Sequence, residues 1–120
     1  MAKIMIVDDA SFMRSSLKFI AEKYGHTIVG MASDGKEAVD LYKKLQPDIV
    51  TLDILMKDLD GISTLKLLLK YDPQAKVIMV TAMGQETKQE EARKIGALGY
   101  IRKPFKPEDI VAEIARILGE

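Results

Sequence analysis

Four short apolar runs in this chain each lead into a residue that could take part in phosphoryl chemistry. Residues 4–7 run into Asp8 and Asp9, residues 49–52 into Asp53, residues 77–80 into Thr81, and residues 99–102 into Lys103. If these runs are parallel strands of one sheet, their carboxyl ends share one edge and face a common pocket. The pattern then brings three carboxylates, a hydroxyl and an amine to one place.

The three carboxylates predict a site for a hard divalent cation. Two unit charges about 4 Å apart repel by ~4 kcal/mol at an effective dielectric constant of 20. Such clusters are therefore kept mostly where a cation or a shared proton relieves the repulsion. The chain has no cysteine and one histidine, and oxygen-only ligands favour Mg²⁺ over Zn²⁺.

The same residues predict phosphoryl transfer to the protein itself. A carboxylate beside Mg²⁺ can attack a phosphoryl group, while the cation and a lysine ammonium neutralise charge on the transferred oxygens. Lys103 is placed for that role, and the Thr81 hydroxyl can donate to a third oxygen. An aspartyl phosphate, rather than hydrolysis of a bound substrate, is the expected product.

These residues must be positioned by alternating strands and helices. Short continuous runs rich in Val, Ile and Met predict strands buried on both faces, and a fifth such run covers about residues 27–31. Amphipathic segments of helical length separate the runs: about 11–24, from Asp34 to before Pro47, from Asp60 to about Asp72, about 86–95, and from Pro107 onwards. Strict alternation demands a parallel sheet with helices on both faces. We predict an α/β fold, a doubly wound (βα)5 with a five-stranded parallel sheet.

Composition limits the class of protein. The chain has 120 residues, and we expect residues 1–120 to form one domain. Eighteen basic and eighteen acidic residues cancel, so no global field favours nucleic acid or an anionic membrane. No apolar stretch approaches the length of a membrane span. With no cysteine, these features predict a cytoplasmic protein.

Several residues are predicted to have structural roles alone. Asp34 and Asp60 stand at helix starts and are assigned to capping. His26 beside Gly25 is expected in an exposed turn. The methionines are expected to fill the core, namely Met5, Met31, Met56 and Met79.

Together, the motifs resemble the receiver domain of two-component response regulators, and within that family the single-domain chemotaxis regulators. The resemblance spans essentially the whole chain and every motif falls in order on the expected element. It is carried by Asp8-Asp9, Leu52-Asp53-Ile54, Asp60-Gly61, Val80-Thr81-Ala82, Gly99-Tyr100 and Lys103-Pro104-Phe105. The chemotaxis branch is indicated by residues 9–14 and 81–85. The resemblance implies the flavodoxin-like strand order 2-1-3-4-5, which places the carboxylates where the order reverses, between strands 1 and 3.

The resemblance implies a role for each site residue. Asp53 would accept phosphate from a chemotaxis-type histidine kinase. Asp8 and Asp9 would hold Mg²⁺ together with Asp53 and the backbone carbonyl of Leu55. Lys103 would pair with the Asp53 carboxylate and then with the phosphoryl oxygens.

Three further residues take their expected roles from the same resemblance. The bond between Lys103 and Pro104 is typically cis in the family and aims the lysine inward. Thr81 would move towards the new phosphate, and Tyr100 would rotate into the vacated space. These movements would bias a surface built from helix 4, strand 5 and helix 5.

Three positions depart from the common family pattern. Lys57 stands where a proline usually occurs, so the loop after strand 3 is expected to be looser. Leu55 and Met83, two residues beyond Asp53 and Thr81, are apolar where polar side chains often occur. Because neither can orient an attacking water, we expect slow self-dephosphorylation.

The expected function is signalling by phosphorylation-dependent binding, not enzymatic turnover. The leading partners are the kinase and a motor component or adaptor of the motility machinery, with a phosphatase as a further partner and a monomer as the default. The alternative is a phosphorelay intermediate that passes phosphate to a histidine phosphotransferase. An aspartate-nucleophile phosphatase commonly has a second Asp two residues after the nucleophile, where this chain has Leu55. A flavin site is disfavoured because Asp8-Asp9-Ala10 would repel phosphate without a cation.

Overall fold

A computed structural model describes residues 2–56 and 59–120 of the chain. Strands and helices alternate five times, and the predicted (βα)5 fold is confirmed. The elements are β1 Lys3–Val7, α1 Ser11–Lys23, β2 Thr27–Ala32, α2 Gly35–Leu45, β3 Ile49–Asp53, α3 Gly61–Tyr71, β4 Val77–Thr81, α4 Glu86–Ile95, β5 Gly99–Arg102 and α5 Pro107–Leu118. Among these helices, none has the length and apolar character needed to cross a membrane.

The five strands form one parallel sheet in the order β2-β1-β3-β4-β5. The order reverses beside β1, which lies between β2 and β3. Register fixes how far each strand projects: Val7 pairs with Leu52, Asp53 with Val80, and Thr81 with Arg102. The residues that follow these pairs therefore lie side by side at the carboxyl ends of the strands.

Side-chain caps begin two helices where the sequence predicts them. The Asp34 carboxylate accepts a hydrogen bond from Glu37 N–H at 2.8 Å at the start of α2, and that of Asp60 accepts from Ser63 N–H at 2.7 Å at the start of α3. Each cap satisfies a backbone donor that lacks a partner within the helix. Both aspartates that the sequence assigned to capping are confirmed in that role.

Two apolar layers cover the sheet, one on each face. The layer beneath α2, α3 and α4 includes Met5, Leu52 and Met79, and the layer beneath α1 and α5 includes Ile6 and Ile78. All five side chains are at most 1% exposed. The three central strands are covered on both faces, so their ends are held rigidly against one another.

Two assignments from sequence are wrong. His26 is buried, and its Nδ1 accepts a hydrogen bond from Ala2 N–H at 3.1 Å, which ties the start of β1 to the start of β2. Burial lowers the pKa of the His26 imidazole, with the positive N-terminus as a second cause. Met31 is 38% exposed because β2 is an edge strand. The other predicted core methionines, Met5, Met56 and Met79, are buried.

A buried hydroxyl in β3, that of Thr51, lacks a hydrogen-bond partner among the described residues. Thr51 Oγ1 is enclosed in the centre of β3, where Thr51 pairs with Ile6 on one side and Ile78 on the other. An unpaired buried hydroxyl costs about 1–3 kcal/mol. By contrast, the buried Thr64 hydroxyl donates to the Asp60 carbonyl at 2.9 Å.

Thr51→Val is expected to raise the free energy of unfolding by about 1 kcal/mol, because it replaces the unpaired hydroxyl with a methyl group. Thr64→Val is the matched control and should lower it by about 1 kcal/mol, since it removes the hydrogen bond from the hydroxyl to the Asp60 carbonyl. Urea denaturation of the three proteins measures both effects. Equal destabilisation by the two substitutions would contradict this account of Thr51.

Candidate functional site

The carboxyl ends of β1 and β3 bring three carboxylates together. Asp8 and Asp9 follow β1 and Asp53 ends β3, and one oxygen of each lies within 4.8 Å of the others. Asp8 is 1% exposed and Asp53 6% exposed, whereas Asp9 is exposed. Two of the three charges are therefore buried, where repulsion is least screened.

Among the described residues, one ammonium reaches this cluster, that of Lys103 directly after β5. Lys103 Nζ lies 3.5 Å from Asp8 Oδ2 and 3.7 Å from Asp53 Oδ1, and its side chain is 25% exposed. The backbone N–H of Lys103 donates to the Thr81 carbonyl at 2.6 Å, and the following bond to Pro104 is cis. The amine lies between the two buried carboxylates and offsets part of their charge.

Burial perturbs the proton affinity of Asp53. The pKa of its carboxyl is raised from 3.8 to about 6, chiefly by burial and secondly by the negative charge of Asp8, while the Lys103 ammonium opposes the rise. The Lys103 ammonium therefore offsets only part of the effect that burial and Asp8 have on Asp53. At neutral pH the site holds an ionised carboxylate that gains from further positive charge.

The donor set fits a magnesium ion. All three side chains offer carboxylate oxygens, and their spacing within 4.8 Å allows one small cation to contact one oxygen from each. The Leu55 N–H points to Asp53 Oδ1 at 3.4 Å, so the chain turns back over the carboxylate directly after β3. The role of the Leu55 backbone carbonyl as a magnesium ligand stays a prediction.

Close approach by a glycine holds the turn after β3. Gly61 N–H donates to the Ile54 carbonyl at 2.9 Å at the start of α3. A β-carbon at Gly61 would collide with the Asp53 carbonyl oxygen and lie 2.7 Å from Ile54 Cα. Because Gly61 has no side chain, the start of α3 can pack directly against the backbone of Asp53 and Ile54.

Thr81 and Tyr100 lie on the neighbouring strands β4 and β5. Thr81 is 2% exposed, and its hydroxyl donates to Gln89 Oε1 of α4 at 3.4 Å. The Tyr100 ring packs against the core, and its hydroxyl oxygen is enclosed without a hydrogen-bond partner among the described residues. Burial raises the pKa of Tyr100. In this structure the Tyr100 ring is therefore turned inward while the Thr81 hydroxyl is hydrogen-bonded to Gln89 of α4.

Leu55 and Met83, the two apolar residues that depart from the family pattern, have exposed side chains. Leu55 is 51% exposed and Met83 82% exposed. Leu55 has no polar side-chain atom, and the Met83 thioether sulfur is only a weak acceptor, so neither is suited to orient a water molecule beside Asp53. Lys57, the third departure, lies outside the described residues.

Three residues in and around the site were missed by sequence reasoning. Arg14 Nη1 donates to the Asp8 carbonyl at 2.7 Å, Gln89 contacts the Thr81 hydroxyl, and Gly61 limits the loop after β3. Arg14 could have been found, because α1 begins directly after the acidic pair and a long side chain one turn along can reach back. For Gln89 and Gly61, the sequence carried no signal of these contacts.

Comparison with known proteins places this geometry in a family. The family model described as the response regulator receiver domain matches residues 4–115. The chain is 47% identical over 115 residues to chemotaxis protein CheY of Thermotoga maritima, covering 96% of each chain. It is 45% identical over 119 residues to protein CcdB of Bacillus subtilis, covering 99% of each.

A solved structure shows the same architecture. The chain superposes with a TM-score of 0.92 on a chain of the CheX-CheY-BeF3-Mg²⁺ complex from Borrelia burgdorferi, at 36% identity, covering 97% of this chain and 88% of that chain. Sequence, strand order and the acidic group thus agree. The chain belongs to the response regulator receiver family and is a CheY-like chemotaxis response regulator.

Proposed function

We propose that Asp53 accepts a phosphoryl group from a chemotaxis-type histidine kinase and that residues 1–120 act as a single receiver domain. The observation that carries the proposal is the cluster of Asp53, Asp8 and Asp9, with Lys103 Nζ 3.7 Å from Asp53 Oδ1. The arrangement supports the proposal, because it offers a buried carboxylate as the nucleophile and the Lys103 amine as a partner for the phosphoryl oxygens. The protein then modifies only its own Asp53 side chain and turns over no external substrate. It acts as a signalling protein.

In the transfer step, an Asp53 carboxylate oxygen attacks phosphorus of the kinase phosphohistidine. The new P–O bond forms as the P–N bond breaks, and the imidazole leaves with the electron pair and takes up a proton. Mg²⁺, when held by Asp8, Asp9, Asp53 and the Leu55 carbonyl, supplies charge neutralisation for the transferred oxygens. Lys103 shifts from the Asp53 carboxylate to a phosphoryl oxygen.

The output is a change at the surface formed by α4, β5 and α5. The phosphoryl group adds roughly −1.5 to −2 charges beside Thr81. Its oxygens then compete with Gln89 for the Thr81 hydroxyl, whose contact with Gln89 is long at 3.4 Å. A groove of ≈ 640 Å³ lies along β5 and α5, lined in part by Tyr100, Lys103 and Glu113, and supports the proposal that a partner binds there.

The partners follow from the family and from its relatives. We propose a cytoplasmic monomer that binds a motor component or adaptor of the motility machinery when phosphorylated. A phosphatase is a further proposed partner, supported by the presence of CheX with CheY in the Borrelia burgdorferi complex. Nucleic acid and membrane are not proposed as partners because the acidic and basic residues cancel.

Acetyl phosphate with Mg²⁺ is expected to add one phosphate to the wild type, as measured by intact mass. Asp53→Asn should add none, because it removes the nucleophile, and chelation of Mg²⁺ should suppress the reaction in the wild type. The matched control is Asp40→Asn, an exposed aspartate of α2 that should react normally. A phosphorylated Asp53→Asn protein would refute the assignment.

A pull-down with acetyl phosphate and Mg²⁺ tests the output. Capture of a motor component or adaptor supports the proposed chemotaxis role. Capture of a histidine phosphotransferase alone would replace it with the role of a phosphorelay intermediate. The Asp53→Asn protein serves as the unphosphorylated control in both cases.

Asp53→Asn is expected to raise the free energy of unfolding by about 1–3 kcal/mol at pH 7.5 in EDTA. A carboxyl whose pKa is raised by folding contributes stability that is present below pH 3.8 and lost as the pH rises through about 6. The gain from the asparagine should therefore shrink towards pH 4. Added Mg²⁺ should stabilise the wild type more than the variant and narrow the gap at pH 7.5.

Urea denaturation between pH 4 and pH 8, with and without Mg²⁺, measures these effects. A difference between the two proteins that stays constant across the pH range would contradict the raised pKa. An equal response of both proteins to Mg²⁺ would place the cation elsewhere.

Leu55→Asn and Met83→Glu are each expected to shorten the lifetime of the phosphorylated protein, on the order of tenfold, because a polar side chain beside the pocket can orient the attacking water. The matched control is Leu67→Asn, which changes an exposed leucine of α3 outside the pocket. Decay of the phosphorylated mass after removal of the phosphodonor gives the lifetime. Unchanged lifetimes in both site variants would count against this explanation.

A further inference from the structure

β5 is one of the two edge strands of the sheet, and its outer side faces away from β4. β5 pairs with β4 on its inner side and is the terminal strand of the order β2-β1-β3-β4-β5. An edge strand presents unpaired N–H and C=O groups to which a strand of another molecule can bind. Exposed apolar side chains lie close by, because Leu98 precedes the strand and is 47% exposed, and Met83 lines the neighbouring groove.

Two side chains of α5 bind to this edge. The Glu113 carboxylate accepts a hydrogen bond from Tyr100 N–H at 2.7 Å, and Arg116 Nη2 donates to the Leu98 carbonyl at 2.7 Å. Arg116 also donates to Glu113 through Nε at 2.9 Å and Nη2 at 3.0 Å. We call these two residues the edge clamp.

The edge clamp has the hydrogen-bonding pattern of a strand residue. The Leu98 carbonyl and the Tyr100 N–H flank Gly99, and a parallel partner residue would donate to the first and accept from the second. Arg116 supplies the donor and Glu113 supplies the acceptor. An antiparallel strand would also need the Tyr100 N–H, so the clamp competes with either orientation.

Gly99 provides the space in which the clamp lies. A β-carbon at this position would be 2.5 Å from Glu113 Oε2 and 2.6 Å from Ile117 Cδ1. Such distances require α5 side chains to move away from the strand. The glycine thus allows the carboxylate to approach the backbone as closely as another strand would.

We propose that Glu113 and Arg116 stand in for one residue of a sixth strand and thereby prevent the β5 edge from pairing with a second copy of this chain. Two copies offer identical edges, so a pairing related by a two-fold axis would satisfy both at once. This role goes beyond phosphoryl signalling, because it depends on neither Asp53 nor a bound cation.

The test compares Glu113→Ala/Arg116→Ala with Glu90→Ala/Arg93→Ala. The control pair has the same spacing and the same bidentate contact on α4, at 2.9 and 2.6 Å, but neither side chain has a hydrogen bond to a strand. At low protein concentration, hydrogen exchange of the Tyr100 amide should accelerate about tenfold in the clamp variant and stay unchanged in the control.

Sedimentation velocity over a range of concentrations then measures association. The clamp variant should form dimers as concentration rises, and protection of its Tyr100 amide should return with dimerisation. The wild type and the control should remain monomeric. A clamp variant that stays monomeric, or that dimerises with the Tyr100 amide still exposed to exchange, would overturn the proposal.

Glu113→Gln keeps the proposal testable if the double variant unfolds. The amide oxygen still accepts from Tyr100 N–H while the charge is lost, so this protein should stay monomeric with a protected Tyr100 amide. Gly99→Ala keeps the sequence of α5 but forces the Glu113 carboxylate away from the strand, so it should behave like the clamp variant. Dimerisation of Glu113→Gln with its Tyr100 amide still protected would show that charge, not edge blocking, controls association.

Discussion

Mutual repulsion among three carboxylates is the constraint around which this molecule is built. Asp8 and Asp53 are almost fully buried and share one ammonium, that of Lys103, at 3.5 and 3.7 Å. Left to relax, such groups would separate into water. They stay together because the buried central strands fix their separation, and because Gly61 fixes the loop that follows Asp53. The rigidity of the sheet therefore holds an unfavourable arrangement of charges in place.

Much of the fold could be predicted because its signals are local. Continuous apolar runs indicate doubly covered strands, and Asp34 and Asp60 mark helix starts through contacts only three residues away. The errors arise where the neighbour is distant along the chain. Met31 reads as core but belongs to an edge strand, and His26 is buried by its contact with Ala2. No local pattern states which strand ends a sheet.

The site shows the same division between local and distant information. The sequence could predict that the acidic pair, Asp53 and Lys103 lie together, because residue type and strand end were both visible in it. The contacts of Gln89 with Thr81, and of Glu113 with Tyr100, join an α-helix to a strand through side chains whose types suggest only a solvated surface. The roles of Gly61 and Gly99 also depend on distant neighbours. At each position, backbone or carboxylate atoms of another segment occupy the space that a side chain would need.

The candidate site lies at the carboxyl ends of the strands, and the loops at their amino ends lie at the opposite pole of the molecule. There the loop between α3 and β4 exposes Pro73 and Gln74, while Asp72 is tied to Tyr42 by a 2.7 Å hydrogen bond. Foreign sequence spliced between Pro73 and Gln74 would emerge on the far side of the molecule from the carboxylates. Circular permutation at that point would create new termini there as well. We therefore expect the loop between α3 and β4 to tolerate an insertion without disturbing the carboxylate cluster.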